Sequence, residues 1–171
     1  MPSESSSDHP AHRPQGRGVF ELAMAESTNP VTVLDESRCW DLLAGQEVGR
    51  LATAVQGMPE IFPVNFVVDG EGVVFRTAEG SKLVELVINE QVCFEVDGWN
   101  DNVGWSVVIK GSAAIIPNGE EQSRAEALPL RPWVPTVKTN FVRITAAEIT
   151  GRRFEFGPDP LLEYRYGKRP V

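Results

Sequence analysis

The chain has 171 residues, of which 42% are hydrophobic and 23% are charged, and its formal net charge at pH 7 is −8. This length allows one domain with its own core and additional terminal segments. No dense basic block is present, which argues against a nucleic-acid partner. No apolar run approaches the roughly 20 residues of a membrane span, and a secretory signal is not apparent. We therefore expect a cytoplasmic protein that binds neither nucleic acid nor membranes.

Cysteine and histidine are too sparse to suggest a metal site. Cys39 and Cys93 lie far apart in apolar segments, so we predict that both are buried, reduced thiols. The histidines, His9 and His12, lie close to the N-terminus. Zinc catalysis and a Ser-His-Asp triad built by this chain alone are therefore not expected.

The composition predicts one domain between two tails. Residues 1–30 are rich in Ser, Pro, Gly and Glu with little apolar periodicity, which is typical of a flexible segment. Residues 157–171 form a second tail with Pro and Gly. The domain is expected over residues 31–156.

The first half of the domain reads as a helix followed by three strands. Asp35 is a suitable N-cap for a helix that ends near Ala44, before Gly45. Alternating apolar residues and intervening turn signals then predict strands over 48–55, 60–68 and 73–77, with turns at 56–59 and 69–72.

The second half reads as alternating strands and short helices. Helical spacing of Leu83, Leu86 and Val87 predicts a helix over 79–89, and a second helix is expected over 120–128. Strands are expected over 91–96, 104–116, 138–144 and 148–156, with a turn at Asp97-Gly98 and a bulge or sharp bend at Gly111. Six or seven mostly antiparallel strands with short helices predict a mainly β fold, a closed or nearly closed barrel.

An anion site is predicted where the strand over 73–77 meets the next helix. Arg76, Thr77, Ser81 and Lys82 supply hydroxyl groups and positive charge at a helix N-terminus, where phosphate binds readily. Arg76 and Thr77 point to opposite faces of a regular strand, so both reach one phosphate only if the strand breaks there or one uses its backbone. A solvated strand-end arginine and an ordinary first helical turn are the alternative.

Two further segments carry polar or aromatic groups suited to a ligand. Pro63 cannot donate a backbone hydrogen bond, so its strand is expected to lie at an edge or a bulge, and Asn65 can both donate and accept. Trp105 and Ser106 begin the long fifth strand. An asparagine satisfied by a neighbouring loop and a tryptophan in the core or an interface are the alternatives.

Taken in order, the segments 49–52, 63–66, 75–83 and 104–111 resemble the flavin-binding split-barrel proteins related to pyridoxamine 5′-phosphate oxidase, in particular small actinobacterial-type members. The resemblance implies a split β-barrel homodimer with two FMN molecules at the dimer interface. It implies that residues 62–66 lie along the isoalloxazine ring, that the anion site holds the phosphate, and that residues 105–107 approach the ring from the partner subunit. The implied cofactor-binding residues are Phe62, Pro63, Val64, Asn65, Phe66, Arg76, Thr77, Ser81, Lys82, Trp105, Ser106 and Val107.

The C-terminal segment departs from the oxidase itself. It has no histidine and no match to the arginine and histidine pattern that holds pyridoxal phosphate there, so vitamin B6 oxidation is not expected. The resemblance implies an FMN-dependent oxidoreductase that passes electrons between NAD(P)H and a small acceptor, and no catalytic residue is assigned. Three alternatives stay open: an F420-dependent reductase, a flavin-binding module that senses or stores its cofactor, and a haem-binding one.

Overall fold

A computed structural model of the chain describes residues 29–78, 80, 89–131, 133–135 and 137–158. The predicted tails fall mainly outside these described residues, as does the helix predicted over 79–89 apart from residues 80 and 89. Seven strands and two helices lie within the described ranges. In chain order they are β1 (Val31–Leu34), α1 (Glu36–Ala44), β2 (Val48–Val55), β3 (Met58–Val68), β4 (Gly72–Thr77), β5 (Gln91–Trp99), β6 (Val103–Ile115), α2 (Glu120–Glu126) and β7 (Asn140–Glu155).

The strands form one antiparallel sheet that closes on itself. Their order is β1-β7-β4-β3-β2-β5-β6, and β6 also pairs with β7. The 16-residue β7 makes this closure possible, because it has a long partner on one edge and two short partners on the other. β6 pairs along most of its length, whereas β4 pairs with residues 140–145 and β1 with residues 151–154. The predicted mainly β split barrel is thereby confirmed.

The barrel core follows from the alternation of apolar residues along each strand. The fully buried side chains include Leu51, Phe75, Phe94, Ile109 and Ile144, one from each of five strands. Residues at every second position of a strand point to the same face, so these side chains meet inside the barrel. The residues between them lie on the outer face.

Helix α1 begins and ends where the sequence predicts. The Asp35 carboxylate accepts a hydrogen bond of 2.8 Å from the Arg38 backbone N–H, which satisfies one of the first-turn donors. Cys39 and Leu43 are fully buried. The Cys39 Sγ lies only 2.5 Å from the point that a Cβ on Gly151 would occupy, so a glycine in β7 allows the helix to approach the barrel closely.

Helix α2 covers part of the outer face through a second, smaller core. This core contains Val74 of β4, Phe141 of β7, Ile116 and Ala125, and Leu128 and Leu130 pack against it from the following loop. The chain after α2 is therefore held against the outside of β3 and β4 before β7 begins.

Two strand predictions need correction. Asp97 and Gly98 are part of β5 rather than a turn, and they pair with Ser106 and Trp105. Gly98 is required there because a Cβ would lie 2.7 Å from the Trp105 ring. The strands predicted over 138–144 and 148–156 are one continuous strand, β7. The register between β6 and β7 shifts between Lys110 and Gly111, as the prediction of a bulge or bend there suggests, but the extra residue, Ala147, lies on β7.

Other elements differ from the prediction in smaller ways. The four-residue β1 was not predicted. The β2–β3 turn contains only Gln56 and Gly57, both with positive φ, so β3 begins two residues earlier than expected. Both cysteines are free thiols, but Cys93 is exposed on the outer face whereas Cys39 is buried; the prediction that both are buried is therefore wrong for Cys93.

Candidate functional site

A cleft opens where strands β3 and β4 separate. Their pairing ends at Phe66 and Phe75, although each strand extends beyond that pair. The cleft has a volume of about 230 Å³ and lies beside the loop that precedes β7. Its walls are formed by Val48, Pro63, Val64, Asn65, Arg76, Thr77, Trp133, Val134 and Lys138.

Strand β3 presents an edge to this cleft. Along the described residues, β4 pairs only with residues 66–68 of β3, and no other strand lies beside residues 58–65 on that side. The two-residue turn makes Val55 and Met58 a hydrogen-bonded pair, and such pairs alternate along an antiparallel ladder. Pro59 and Pro63 therefore lie at positions that need no N–H towards β2. Pro63 is thus at the predicted edge.

The loop before β7 is attached to β3 through Asn65. The backbone N–H of Trp133 donates to Asn65 Oδ1 at 3.0 Å, and Asn65 Nδ2 donates to the Glu47 carbonyl at 3.4 Å. The indole N–H of Trp133 also donates to the Glu47 carboxylate at 3.4 Å. These contacts hold the tryptophan at the cleft while its side chain stays largely exposed, since the residue retains 67% of its accessible surface.

The same loop is attached to β4 through Arg76. Its Nε and Nη2 donate to the Lys138 carbonyl at 3.0 and 2.5 Å, and its guanidinium carbon lies 4.8 Å from the centre of the Phe141 ring. Guanidinium groups stack favourably on aromatic faces. Arg76 lies on the outer face with Phe141, whereas Thr77 is buried and donates to the Ala78 carbonyl at 3.2 Å. The two residues nevertheless line one cleft because β4 ends there.

The cleft is lined by two cations, Arg76 and Lys138. Among the described residues, neither Arg76 nor Lys138 forms an ion pair with a carboxylate. Arg50 of β2 differs from them, because its guanidinium lies 2.8 Å from Glu95 and 2.6 Å from Asp97. These hydrogen bonds, first to Asp97 and then to Glu95, raise the pKa of Arg50 above its usual value. Arg76 and Lys138 are therefore the cations with charge available for an anion in the cleft.

The remaining candidate residues lie elsewhere in the barrel or outside the described residues. Phe62 packs against the core, and Phe66 is inside it, with its ring centre 4.9 Å from that of Phe94 in an edge-to-face arrangement. Val107 is fully buried and Trp105 packs against the same core. Ser106 lies opposite Asp97 and Arg152. None of these residues lines the cleft, and Ser81 and Lys82 are outside the described residues.

No group of three or more His, Cys, Asp or Glu side chains in the described part of the chain is arranged to hold a metal ion. Neither described helix has the length and apolar character needed to cross a membrane.

An antiparallel barrel with a cleft at the separation of two strands defines the split-barrel class of proteins. A family model described as pyridoxamine 5′-phosphate oxidase matches residues 35–153 of the chain. This match covers most of the described barrel. The chain therefore belongs to the pyridoxamine 5′-phosphate oxidase family, as the sequence resemblance predicts.

The chain is also similar to individual proteins from Mycobacterium and Corynebacterium. The structure of the FAD-binding protein from Mycobacterium smegmatis is 42% identical, covers 73% of this chain and 99% of that chain, and has a TM-score of 0.65. The conserved protein of unknown function DIP1874 from Corynebacterium diphtheriae is 45% identical, covers 74% and 99% of the two chains, and has a TM-score of 0.65. The uncharacterized protein Rv3129 of Mycobacterium tuberculosis is 45% identical over 94 residues, which are 55% of this chain and 86% of the relative.

The wall of the cleft that the loop provides was not predicted from the sequence. Trp133 and Val134 lie in a proline-bearing segment between the helix predicted over 120–128 and the strand predicted over 138–144. Lys138 was expected to begin that strand, whereas β7 begins at Asn140. A large aromatic residue beside prolines after a helix is a weak local signal. Its role at the cleft depends on contact with Asn65, which is 68 positions away in the chain.

Proposed function

We propose that the protein binds a flavin in this cleft and acts as a flavin-dependent oxidoreductase, with FMN as the cofactor and NAD(P)H as the electron donor for a small acceptor. The observation that carries the proposal is the pair of cations, Arg76 and Lys138, beside the edge of β3. On a chain with a formal net charge of −8, positive charge without a carboxylate partner favours an anionic ligand. A flavin phosphate supplies such an anion next to a flat, largely apolar ring.

The described residues suit both parts of that ligand. Pro63 and Val64 offer apolar contact along the edge of β3, and the backbone carbonyl of Pro63 points away from β2, where it can accept a hydrogen bond from a heterocycle. At the other end of the cleft, Lys138 is a mobile point charge, and Arg76 retains N–H groups beyond the two bound to the Lys138 carbonyl. Ser81 and Lys82 are proposed to complete the phosphate site.

The flavin would supply the redox chemistry, and this chain would supply its position and surroundings. The loop carrying Trp133 and Val134 supplies one wall of the cleft. The cations lower the energy of a negatively charged ligand. The roles proposed for the residues of the cleft are to bind and orient the ligand. We assign no catalytic acid or base among them.

We further propose that the functional unit is a homodimer with the cofactor at its interface. Trp105 and Ser106 do not line the cleft of their own chain, so a second copy is the proposed source of that segment. Sedimentation of the purified protein tests this assembly. A monomer with full flavin affinity would show that the second copy is not needed for binding.

FAD is a second candidate cofactor, supported by the name of the Mycobacterium smegmatis relative, which is 42% identical. The absorbance spectrum of the native protein, followed by mass spectrometry of the molecule released on denaturation, distinguishes FMN, FAD and F420. A colourless protein that binds none of them after reconstitution would contradict the flavin proposal. Tight flavin binding without NAD(P)H consumption across a panel of acceptors would instead favour storage or sensing.

A further inference from the structure

Trp133 combines exposure with a fixed position. Its backbone N–H is bound by Asn65 and its indole N–H by the Glu47 carboxylate, yet 67% of the residue's surface is accessible. These two hydrogen bonds restrain both the backbone and the indole of Trp133. Here both donors of the residue are used, and most of its surface still remains accessible.

The two hydrogen bonds hold the indole at the cleft, where a ligand could contact it. Trp133 and Asn65 both line the cavity, and Asn65 continues the β3 edge from Pro63 and Val64. A planar ligand along that edge would therefore lie within reach of the indole. Stacking between an aromatic side chain and a flat heterocycle stabilises a complex whatever the polar substituents of the heterocycle are.

We propose that Trp133 is an aromatic wall of the site that contacts the ring system of the bound flavin, and that Glu47 is a positioning residue acting through the indole N–H. This assignment rests on the proposed function. It predicts that Trp133 contributes to the affinity for the ring, whereas Arg76 and Lys138 contribute to the affinity for the phosphate. Riboflavin, which has the ring without the phosphate, separates the two contributions.

The test is a titration of the cofactor-free full chain with riboflavin and with FMN. Trp133→Leu is expected to weaken both ligands by about ten-fold, the loss of one stacking contact, and Trp133→Phe by less. Trp99→Leu is the matched control, because Trp99 is also exposed, at 74%, but lies at the end of β5 and does not line the cleft. Thermal unfolding of each variant shows that the fold is retained.

Glu47 is tested by two substitutions and by a spectroscopic signal. Glu47→Leu removes the acceptor of the indole N–H and is expected to weaken riboflavin binding about three-fold, a loss smaller than that of the whole ring contact. Glu47→Gln keeps an acceptor oxygen and should restore the affinity. An indole in contact with a flavin also quenches its fluorescence, so the bound riboflavin should be brighter in Trp133→Leu than in Trp99→Leu.

The outcomes separate the two proposals. If the wild-type chain binds riboflavin and FMN but Trp133→Leu and Trp99→Leu bind them equally well, with equal fluorescence, the Trp133 assignment is wrong and the flavin proposal stands. If the wild-type chain binds neither ligand and no FAD, the flavin proposal fails, and the assignment fails with it. Restored affinity in Glu47→Gln but not in Glu47→Leu supports the positioning role.

Discussion

Asn65 and Arg76 occupy the first position at which β3 and β4 no longer pair, one step beyond Phe66 and Phe75. Their side chains bind the two ends of the loop before β7: Asn65 accepts from the Trp133 N–H at 3.0 Å, and Arg76 donates to the Lys138 carbonyl. Both side chains lie on the outer face, where the alternation of each strand places them. The cleft is therefore held by contacts between two separated strands and one loop.

Arg76 is expected to contribute to stability as well as to binding. Replacement by Met removes two hydrogen bonds from a charged donor to the Lys138 carbonyl and the stacking on Phe141. Hydrogen bonds to charged groups contribute about 1.5–3 kcal/mol. We therefore expect Arg76→Met to lower the free energy of unfolding by about 2 kcal/mol, measured by urea denaturation.

Arg50→Met is the matched control for this stability measurement. The Arg50 side chain is 50% exposed and binds only carboxylates on the barrel surface, and exposed ion pairs contribute about 0–1 kcal/mol. An Arg76 variant no less stable than the Arg50 variant would show that the Lys138 end of the loop is not held by the guanidinium.

Lys138 tests the phosphate site with less effect on the fold than Arg76 does. Its contact with Arg76 is made by its backbone carbonyl, which a side-chain substitution keeps. Lys138→Met keeps that carbonyl and removes the side-chain charge. We expect weaker FMN binding by about ten-fold, the loss of one charge-assisted contact, and unchanged riboflavin binding. Isothermal titration with the two ligands measures both values. Equal losses for FMN and riboflavin would place the lysine at the ring instead, and no loss would remove it from the site.

The barrel was predictable where structure depends on neighbouring residues. The cap at Asp35 and the alternation in residues 48–55 follow from local geometry and steric properties. Gly111 marks the irregularity between β6 and β7, but the extra residue is Ala147 on β7. The prediction failed where a residue or strand distant in the sequence determines the local structure. Asp97-Gly98 resembles a turn, but Trp105 on the next strand covers the glycine and the strand continues. The four residues of β1 become a strand only because β7 leaves an edge at residues 151–154.

The candidate site shows the same limit. Pro63, Asn65 and Arg76 could be identified from a strand edge, a polar side chain and a strand end. Trp133 and Lys138 could not, since their place at the cleft depends on α2 packing over Val74 and Phe141, which delivers the loop to β3 and β4. The role of Ser106 also stays a prediction, because this residue is proposed to reach the cleft from a second copy of the chain.

Gly111 is expected to tolerate no side chain. A Cβ there would lie 2.0 Å from the Thr145 carbonyl oxygen, and this oxygen belongs to the backbone of β7, where the register shifts between Lys110 and Gly111. Relief requires movement of the longest strand pair in the barrel. Gly111→Ala should therefore lower the free energy of unfolding by about 3 kcal/mol or more.

The matched control is Gly57→Ala, which meets no atom within 4 Å but has a φ of 80°. Its cost comes from the left-handed backbone alone and should be about 1–2 kcal/mol. Chemical denaturation of both variants measures the difference. A Gly111→Ala variant as stable as Gly57→Ala would mean that β6 and β7 adjust at the bulge without losing their pairing.

Because of Cys39, the free energy of unfolding is expected to fall at alkaline pH. Its thiol is fully buried beneath α1, and burial, together with the charges of Asp35 and Glu36, raises the pKa of this group above its ordinary value. The unfolded chain then loses the proton at a lower pH than the folded chain. Between the two pKa values the folded state binds more protons, so the free energy of unfolding falls as the pH rises.

The decline should begin near the pKa of an unperturbed thiol, about 8.5. Urea denaturation under reducing conditions from about pH 7.5 to about pH 9.5 spans that onset. Cys39→Ala should be less stable at neutral pH, because the space beside Gly151 is left unfilled, and its stability should fall less steeply with pH. Cys93→Ala removes the exposed thiol and should keep the wild-type slope. Equal slopes in the wild type and in Cys39→Ala would show that the buried thiol does not cause the alkaline decline, which would then belong to lysine or tyrosine groups common to all three chains.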